Sequence, residues 1–302
     1  MKKRLSRFKR EKEFWLISTF ALVWLAIFAY SPMYGLSMAF FEYSPGKSFI
    51  NDNFVGFKYF IQFFESPEFS MVMRNTLAIS LLNLAIGFPM PIIFAICLNE
   101  IRNKFSKRFF QTVSYVPHFI SWVVVASFMF SLMGTEGLFN QLLQDFGFID
   151  KPIGFLSEGK YFWGNIVIAN IWKGLGWSAI IYLSAIAGID DTYYEAGAID
   201  GLGRFGLIWH ITLPFIRPTI LVLFILSMGG LLNAGFEQQL LLGNDLTREY
   251  HEVIDTYTYR YGLQLGKYSY ATAVGLMKSV ISVIMVFGAN YLGKKLFDTS
   301  IL

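Results

Sequence analysis

IDDTYYEAGAIDGLGRFGLIWHITLP, residues 189–214, is a polar, glycine-rich insert between two long apolar runs. Its carboxylates would be costly in lipid, so the insert belongs in water between two membrane spans. It opens with helix-start chemistry. Asp190, Asp191 and Thr192 are followed by Glu195, three residues after Thr192, which is capping-box spacing. Ala196, Gly197, Ala198 and Gly201 make one small-residue surface, and Gly201 can end the helix in a left-handed turn. A second helical run, Arg204 to Ile211, is expected to stop at Pro214. Two short helices with a small-residue face suit insertion into a cleft on another protein, because no side chain holds the backbones apart.

The flanking sequence supplies the membrane. Of 302 residues, 55% are hydrophobic and only 15% charged, and the apolar residues fall in long uncharged runs. Six segments approach or exceed the ~20 residues that a bilayer core requires: Phe14–Phe40, Met71–Leu98, Phe110–Met133, Phe162–Ile189, Pro218–Phe236 and Tyr270–Leu292. Each is expected to be a helix, since an isolated strand leaves its backbone groups unsatisfied in lipid. The expected fold class is therefore all-α, a polytopic membrane protein of six transmembrane helices. The first apolar run is too long for a signal-peptide core and is read as a retained span. Pro89 and Pro91 predict a kink in span 2, as shape or as a gating hinge. One short helix is expected near Leu138 to Phe146.

Basic residues set the orientation. Lys2, Lys3, Arg4, Arg7, Lys9, Arg10 and Lys12 precede span 1, Arg102, Lys104, Lys107 and Arg108 crowd the loop after span 2, and Lys294 and Lys295 follow span 6. Fewer cations, over longer loops, lie on the other side. Both termini and the 189–214 insert are thus expected in the cytoplasm. The net charge of +4 comes from span ends and is no nucleic-acid signal, and the single cysteine, Cys97, excludes an internal disulfide.

Span 4 places Lys173 about ten residues from its outer end, roughly 15 Å deep and near the bilayer midplane. An intramembrane lysine faces a cavity or a partner. Two readings stand: Lys173 lines a substrate path with Asn170 and Trp172, or it snorkels or pairs with an acid. Trp177 can offer a flat face to a sugar or simply pack. At the outer end of span 5, Gly229-Gly230 can break the helix, and Asn233, Glu237 and Gln238 could continue a polar track. Lys278 in span 6 lines the same path or pairs with an acid.

Glu195-Ala196, Asp200-Gly201 and Ile211-x-Leu213-Pro214 resemble the EAA loop of ABC-importer permeases, with Gly197 where the family usually has a second alanine. Gly56-Phe57-x-Tyr59-Phe60, Pro67-x-Phe69 and Asn75-Thr76-Leu77 resemble the entry to the transmembrane domain of MalF/MalG-like carbohydrate permeases. WKGLGW in span 4, NAGFEQ after span 5 and VPHFISWV from Val116 resemble the LplB-like oligosaccharide and polysaccharide subgroup. The resemblance implies a type I ABC-importer permease fold in the bacterial cytoplasmic membrane. It implies ATPase coupling through Glu195, Ala196, Gly197, Asp200, Gly201, Leu213 and Pro214. The implied partners are a second homologous permease, two ATPase subunits, an extracytoplasmic sugar-binding protein, an oligosaccharide and the lipid bilayer. Expected segments are a basic tail (1–13), the first helix and outer loop (14–70), the transmembrane domain (71–293) with the coupling loop (190–214), and a C-terminal tail (294–302).

The chain has no GxxxxGKS/T phosphate loop, so no ATP hydrolysis is expected on it; ATP and Mg belong to the partner ATPases. His118, His210 and His251 lack metal-ligand spacing, and no catalytic constellation stands out, so neither an enzyme nor a metal site is expected. The competing function is an ion-coupled secondary transporter or channel for a small polar solute. Such carriers place acids within their spans, and these spans hold no clear central Asp or Glu.

Overall fold

Prolines shape the helices of this chain. In the computed structural model, which describes residues 12–50 and 53–297, three spans contain a π turn, and each turn ends two residues before a proline. The turns are Ala26–Tyr30 before Pro32, Asn83–Gly87 before Pro89, and Ile208–Thr212 before Pro214. Proline lacks an N–H and its ring crowds the carbonyl one turn back. A wider π turn carries one extra residue and absorbs both defects without ending the helix. Pro89 and Pro91 therefore interrupt span 2 with a π turn, after which the helix restarts. The sequence predicts that Pro214 stops the second run of the insert, and it does not. That run passes through the π turn and continues as span 5.

The described residues contain six helices long and apolar enough to cross a membrane: Lys12–Phe40, Phe69–Asn99, Trp122–Asp145, Gly159–Ala187, Arg204–Gly229 and Tyr268–Lys295. Span 1 is α1 (Lys12–Leu25), continued by its π turn and a 3-10 segment to Phe40. A short α2 (Lys58–Phe64) follows. Span 2 is α3 (Phe69–Leu82) and α4 (Pro89–Asn99) on either side of the π turn.

Span 3 corrects the sequence reading. The expected continuous helix Phe110–Met133 is broken. An amphipathic α5 (Lys104–Tyr115) ends in a 3-10 turn at Val116–Phe119, and α6 (Trp122–Met133) restarts with Ser121 as its cap. Pro117 and the hydroxyl of Ser121 supply the stop and the start. The short α7 (Leu138–Asp145) lies where expected. Span 4 is α8 (Phe162–Ala187), the most buried of the six. The insert forms α9 (Asp191–Ile199) and α10 (Arg204–Leu207). Span 5, α11 (Leu213–Gly229), ends at the glycine pair rather than at Phe236. Residues 230–235 are irregular, and α12 (Phe236–Leu242), α13 (Arg248–His251) and α14 (Ile254–Tyr259) precede the long α15 (Tyr268–Phe297).

The chain divides into two units. One holds the chain up to Ser66 with Thr258–Met277; the other holds Pro67–Tyr257 and the chain from Lys278. The second unit has two apolar clusters. Ile79, Val125, Phe162, Ile166, Leu242 and Val253 belong to one, and Ile92, Ala95, Tyr182, Ile186, Ile211 and Ile216 to the other. Asn75 extends the first cluster with polar ties: its side-chain amide donates to the carbonyls of Glu249 and Glu252.

Candidate functional site

The 189–214 insert is a helical hairpin. Asp190, not Thr192, caps α9: its carboxylate accepts the Thr192 N–H at 2.9 Å, and that bond holds its pKa below the usual carboxylate range. The Glu195 side chain is exposed and makes no hydrogen bond among the described residues, so the expected capping box is absent. Gly201 has φ +83°, the left-handed conformation expected, with open space beyond it. The small-residue surface divides. A Cβ on Gly197 would meet Leu207 and Ile211 at 2.9 and 2.8 Å, so Gly197 serves packing inside the hairpin. Ala196 and Ala198 remain exposed, as does Asp200.

Residues the sequence reading passed over dominate the hairpin's outer surface: Ile199 and Phe205 are each 86% exposed. Its inner side is fixed firmly. The Tyr194 hydroxyl and the Thr212 hydroxyl hydrogen-bond at 3.0 Å, and Arg204 pairs with Glu100 at the end of span 2 (3.2 Å). Ile211 sits in the same apolar cluster as residues of spans 2, 4 and 5, with Leu213 packed against it. Pro214 is exposed behind the π turn.

A cavity of about 560 Å³ opens between spans 2, 4 and 5, lined in part by Ser80, Asn83, Trp177, Ser178, Ser227 and Asn233. An adjoining pocket of about 210 Å³ shares Asn83 and Ser178 and adds Asn170. The two linings contain no Asp, Glu, Lys or Arg. A chain of amides runs beside them. Gln238 donates to the Asn170 carbonyl oxygen at 3.0 Å, and Asn170 donates to that of Asn83 at 3.3 Å. The Ser80 hydroxyl is buried at the cavity wall, with no hydrogen-bond partner among the described residues. Neutral amides and hydroxyls at membrane depth can replace the water of a polyhydroxylated solute without introducing a charge that must be desolvated.

Of the residues singled out from sequence for a substrate path, Asn170, Trp177, Asn233 and Gln238 lie at or beside the cavity. Trp177 presents a half-exposed indole whose other face is stacked on His118, with centroids 4.5 Å apart and planes 3° from parallel. Trp172, Lys173 and Glu237 do not join them. Trp172 lies in a separate apolar pocket with Phe128, Met129 and Ile168. Glu237 is exposed at the start of α12. The Lys173 ammonium donates to the carbonyls of His118 and Ile120, each at 2.6 Å, and of Pro117 at 3.4 Å, with the Trp122 ring 5.8 Å away. These carbonyls belong to the break between α5 and α6; that of Pro117 also accepts the Ile120 N–H at 3.2 Å, and backbone groups outside a regular helix near a membrane span need such partners. Lys173 thus braces this break; it lines neither pocket and, among the described residues, pairs with no acid. Lys278 pairs with Asp255.

The sequence profile of the binding-protein-dependent transport system inner membrane components matches residues 87–298. Protein LplB of Bacillus subtilis is 46% identical over 97% of this chain and 92% of its own length. The polygalacturonan/rhamnogalacturonan transport system permease protein YteP of the same organism is 42% identical over 99% of this chain and 93% of its own. A crystal structure of a bacterial alginate ABC transporter, in complex with an alginate pentasaccharide-bound periplasmic protein, contains a chain that superposes with a TM-score of 0.89 at 37% identity. That match covers 98% of this chain and 99% of the other. The chain belongs to the family of binding-protein-dependent transport system inner membrane components, as a multi-pass permease of the ABC-importer fold.

Proposed function

We propose that the chain forms half of the translocation pathway of an ATP-driven importer for an oligosaccharide. An extracytoplasmic binding protein delivers the sugar, a second homologous permease completes the pathway, and two ATPases drive it from the cytoplasm through residues 190–214. The observation that carries this reading is the charge-free cavity with its Asn83–Asn170–Gln238 amide chain. An ion-coupled carrier generally places an acidic group where its substrate sits, and these linings contain no Asp or Glu. The relatives' names, polygalacturonan, rhamnogalacturonan and alginate, support a sugar chain as cargo.

The hairpin supports the coupling role by its construction: apolar side chains point outward while its base is locked to the spans. Positive charge near the ends of spans supports a cytoplasmic position for it and for both termini. The test is uptake by the complete importer in liposomes, with binding protein and ATP. Asn170→Leu removes one neutral hydrogen-bonding group and should lower uptake about fivefold, as the loss of ~1 kcal/mol predicts. Basal ATPase activity should be unchanged. Unaltered uptake by Asn170→Leu and by Asn83→Leu would remove the cavity from the pathway.

A further inference from the structure

Another cavity, of about 440 Å³ and with a largely polar lining, lies far from the amide chain in sequence. It is bounded by Glu42, Tyr43 and Ser44 after span 1, by Lys58, Tyr59 and Gln62 of α2, and by residues 266–270 where α15 begins. Its volume falls within the 300–1,000 Å³ typical of small-molecule sites. Its floor is fixed by one buried hydroxyl. Ser269 donates to the Phe41 carbonyl at 2.8 Å and accepts the Tyr43 N–H at 2.9 Å, and its side chain also meets the Tyr59 hydroxyl. Buried Tyr270 packs against Tyr59 and Tyr261, and Tyr43 meets Tyr268 edge-on at 6.0 Å. The turn into α15 is held by Gly266, at φ +68°, and by the Lys267 N–H bonded to the Tyr261 carbonyl. These three segments are thus held as a preformed wall.

The rim is cationic. Lys58 and Lys267 are exposed, each with its ammonium over a tyrosine ring, at 5.8 and 5.2 Å. Among the described residues neither lies in an ion pair, and Glu42 is the one acid in the lining. Tyrosine offers an apolar face and a polar tip together, which suits a sugar ring with its C–H face and its hydroxyls. Gln62 and Ser44 add neutral donors and acceptors. Two ammoniums outside any ion pair, against one carboxylate in the lining, favour an anion.

We propose that this cleft is a binding subsite for a uronate unit of a sugar chain, with Lys58 and Lys267 receiving the carboxylate and the tyrosines the ring. Alternation of the spans puts its loops on the membrane face opposite the 190–214 hairpin, so the subsite rests on the import reading for its outward placement. It would hold one uronate unit of an acidic oligosaccharide.

The test uses the importer in nanodiscs without binding protein, with both faces open, so neither orientation nor transport enters the result. Saturation-transfer NMR is recorded with a galacturonate trisaccharide and with the neutral galactose trisaccharide of the same linkage. The uronate should give signal that fades with salt, and the neutral sugar should not. Lys58→Gln and Lys267→Gln, both at exposed positions, should each weaken uronate binding about fivefold, and Lys267→Arg should retain it. Equal signals from the two sugars, or undiminished binding in both glutamine variants, would overturn the proposal. So would glutamine variants that weaken association of the binding protein while leaving the uronate signal intact, since the cleft would then be a protein-docking surface.

Discussion

Lys173 shows what a single side chain does when a helix breaks inside a membrane. Three carbonyls of the span 3 break converge on its ammonium. Methionine keeps the length and packing of the side chain but donates nothing. Lys173→Met should therefore cost about 1.5–3 kcal/mol, the value of hydrogen bonds to a charged group. Thermal unfolding of the purified chain in detergent measures it, and uptake should fall in proportion to the folded protein that remains. A fully stable variant with impaired uptake would return Lys173 to the pathway. The sequence showed both halves of this arrangement, a midplane lysine in span 4 and Pro117 in span 3. It could not show that they meet, because contact between spans more than fifty residues apart is a tertiary fact. Asn170, Trp177, Asn233 and Gln238 were legible as polar or amphipathic groups interrupting apolar runs. Asn83 and Ser80 carried the same signal in span 2 and were passed over in favour of the more conspicuous prolines. The direction of Trp172, one residue from Lys173 yet in another pocket, depends on helix rotation against neighbours that periodicity alone does not supply.

At the scale of elements, the hairpin was legible by position and turn chemistry, and less so by surface. Its place between spans, the left-handed Gly201 and the existence of two helices all followed from composition and capping rules. Which residues face outward did not, because the small residues split between internal packing and solvent. Phe205, 86% exposed and beyond the tight turn, is the aromatic most available to a partner. In the isolated chain Phe205→Ser should change stability by no more than about 0.5 kcal/mol. An aromatic anchor buried in an interface is worth ~2 kcal/mol or more. Co-purification of the ATPases and sugar-stimulated ATP hydrolysis should therefore both fall sharply. Full ATPase retention in Phe205→Ser and in Ile199→Ser would place the docking surface elsewhere. The span 3 break escaped the sequence reading because apolar content continues straight across it: VPHFIS is hydrophobic enough to belong to a helix, and only Pro117 and Ser121 mark the interruption.

For the whole molecule, six spans were legible because the bilayer imposes length and polarity on each, and apart from the break before α6 the errors lie at their ends. Span 5 stops at Gly229, where backbone freedom outweighs continued hydrophobicity, and extends backward to Arg204 through the π turn. The predicted orientation is testable on a Cys97→Ser background, which removes the single native thiol. Lys104→Cys and Arg204→Cys should resist an impermeant maleimide in intact cells, and Lys151→Cys should react. Labelling at position 204 would invert the topology and with it the assignment of the hairpin to the ATPase side. The π turn at Ile208–Thr212 has a further consequence, for heredity rather than for packing. An α-helix advances by about 100° per residue, and a π turn holds one residue more than an α turn. Loss or gain of a single codon there would leave the chain nearly the same length and swing the hairpin by more than a quarter of a circle about the axis of span 5. A change in the count of residues in that turn would thus redirect the hairpin in a way that no exchange of a single side chain there does.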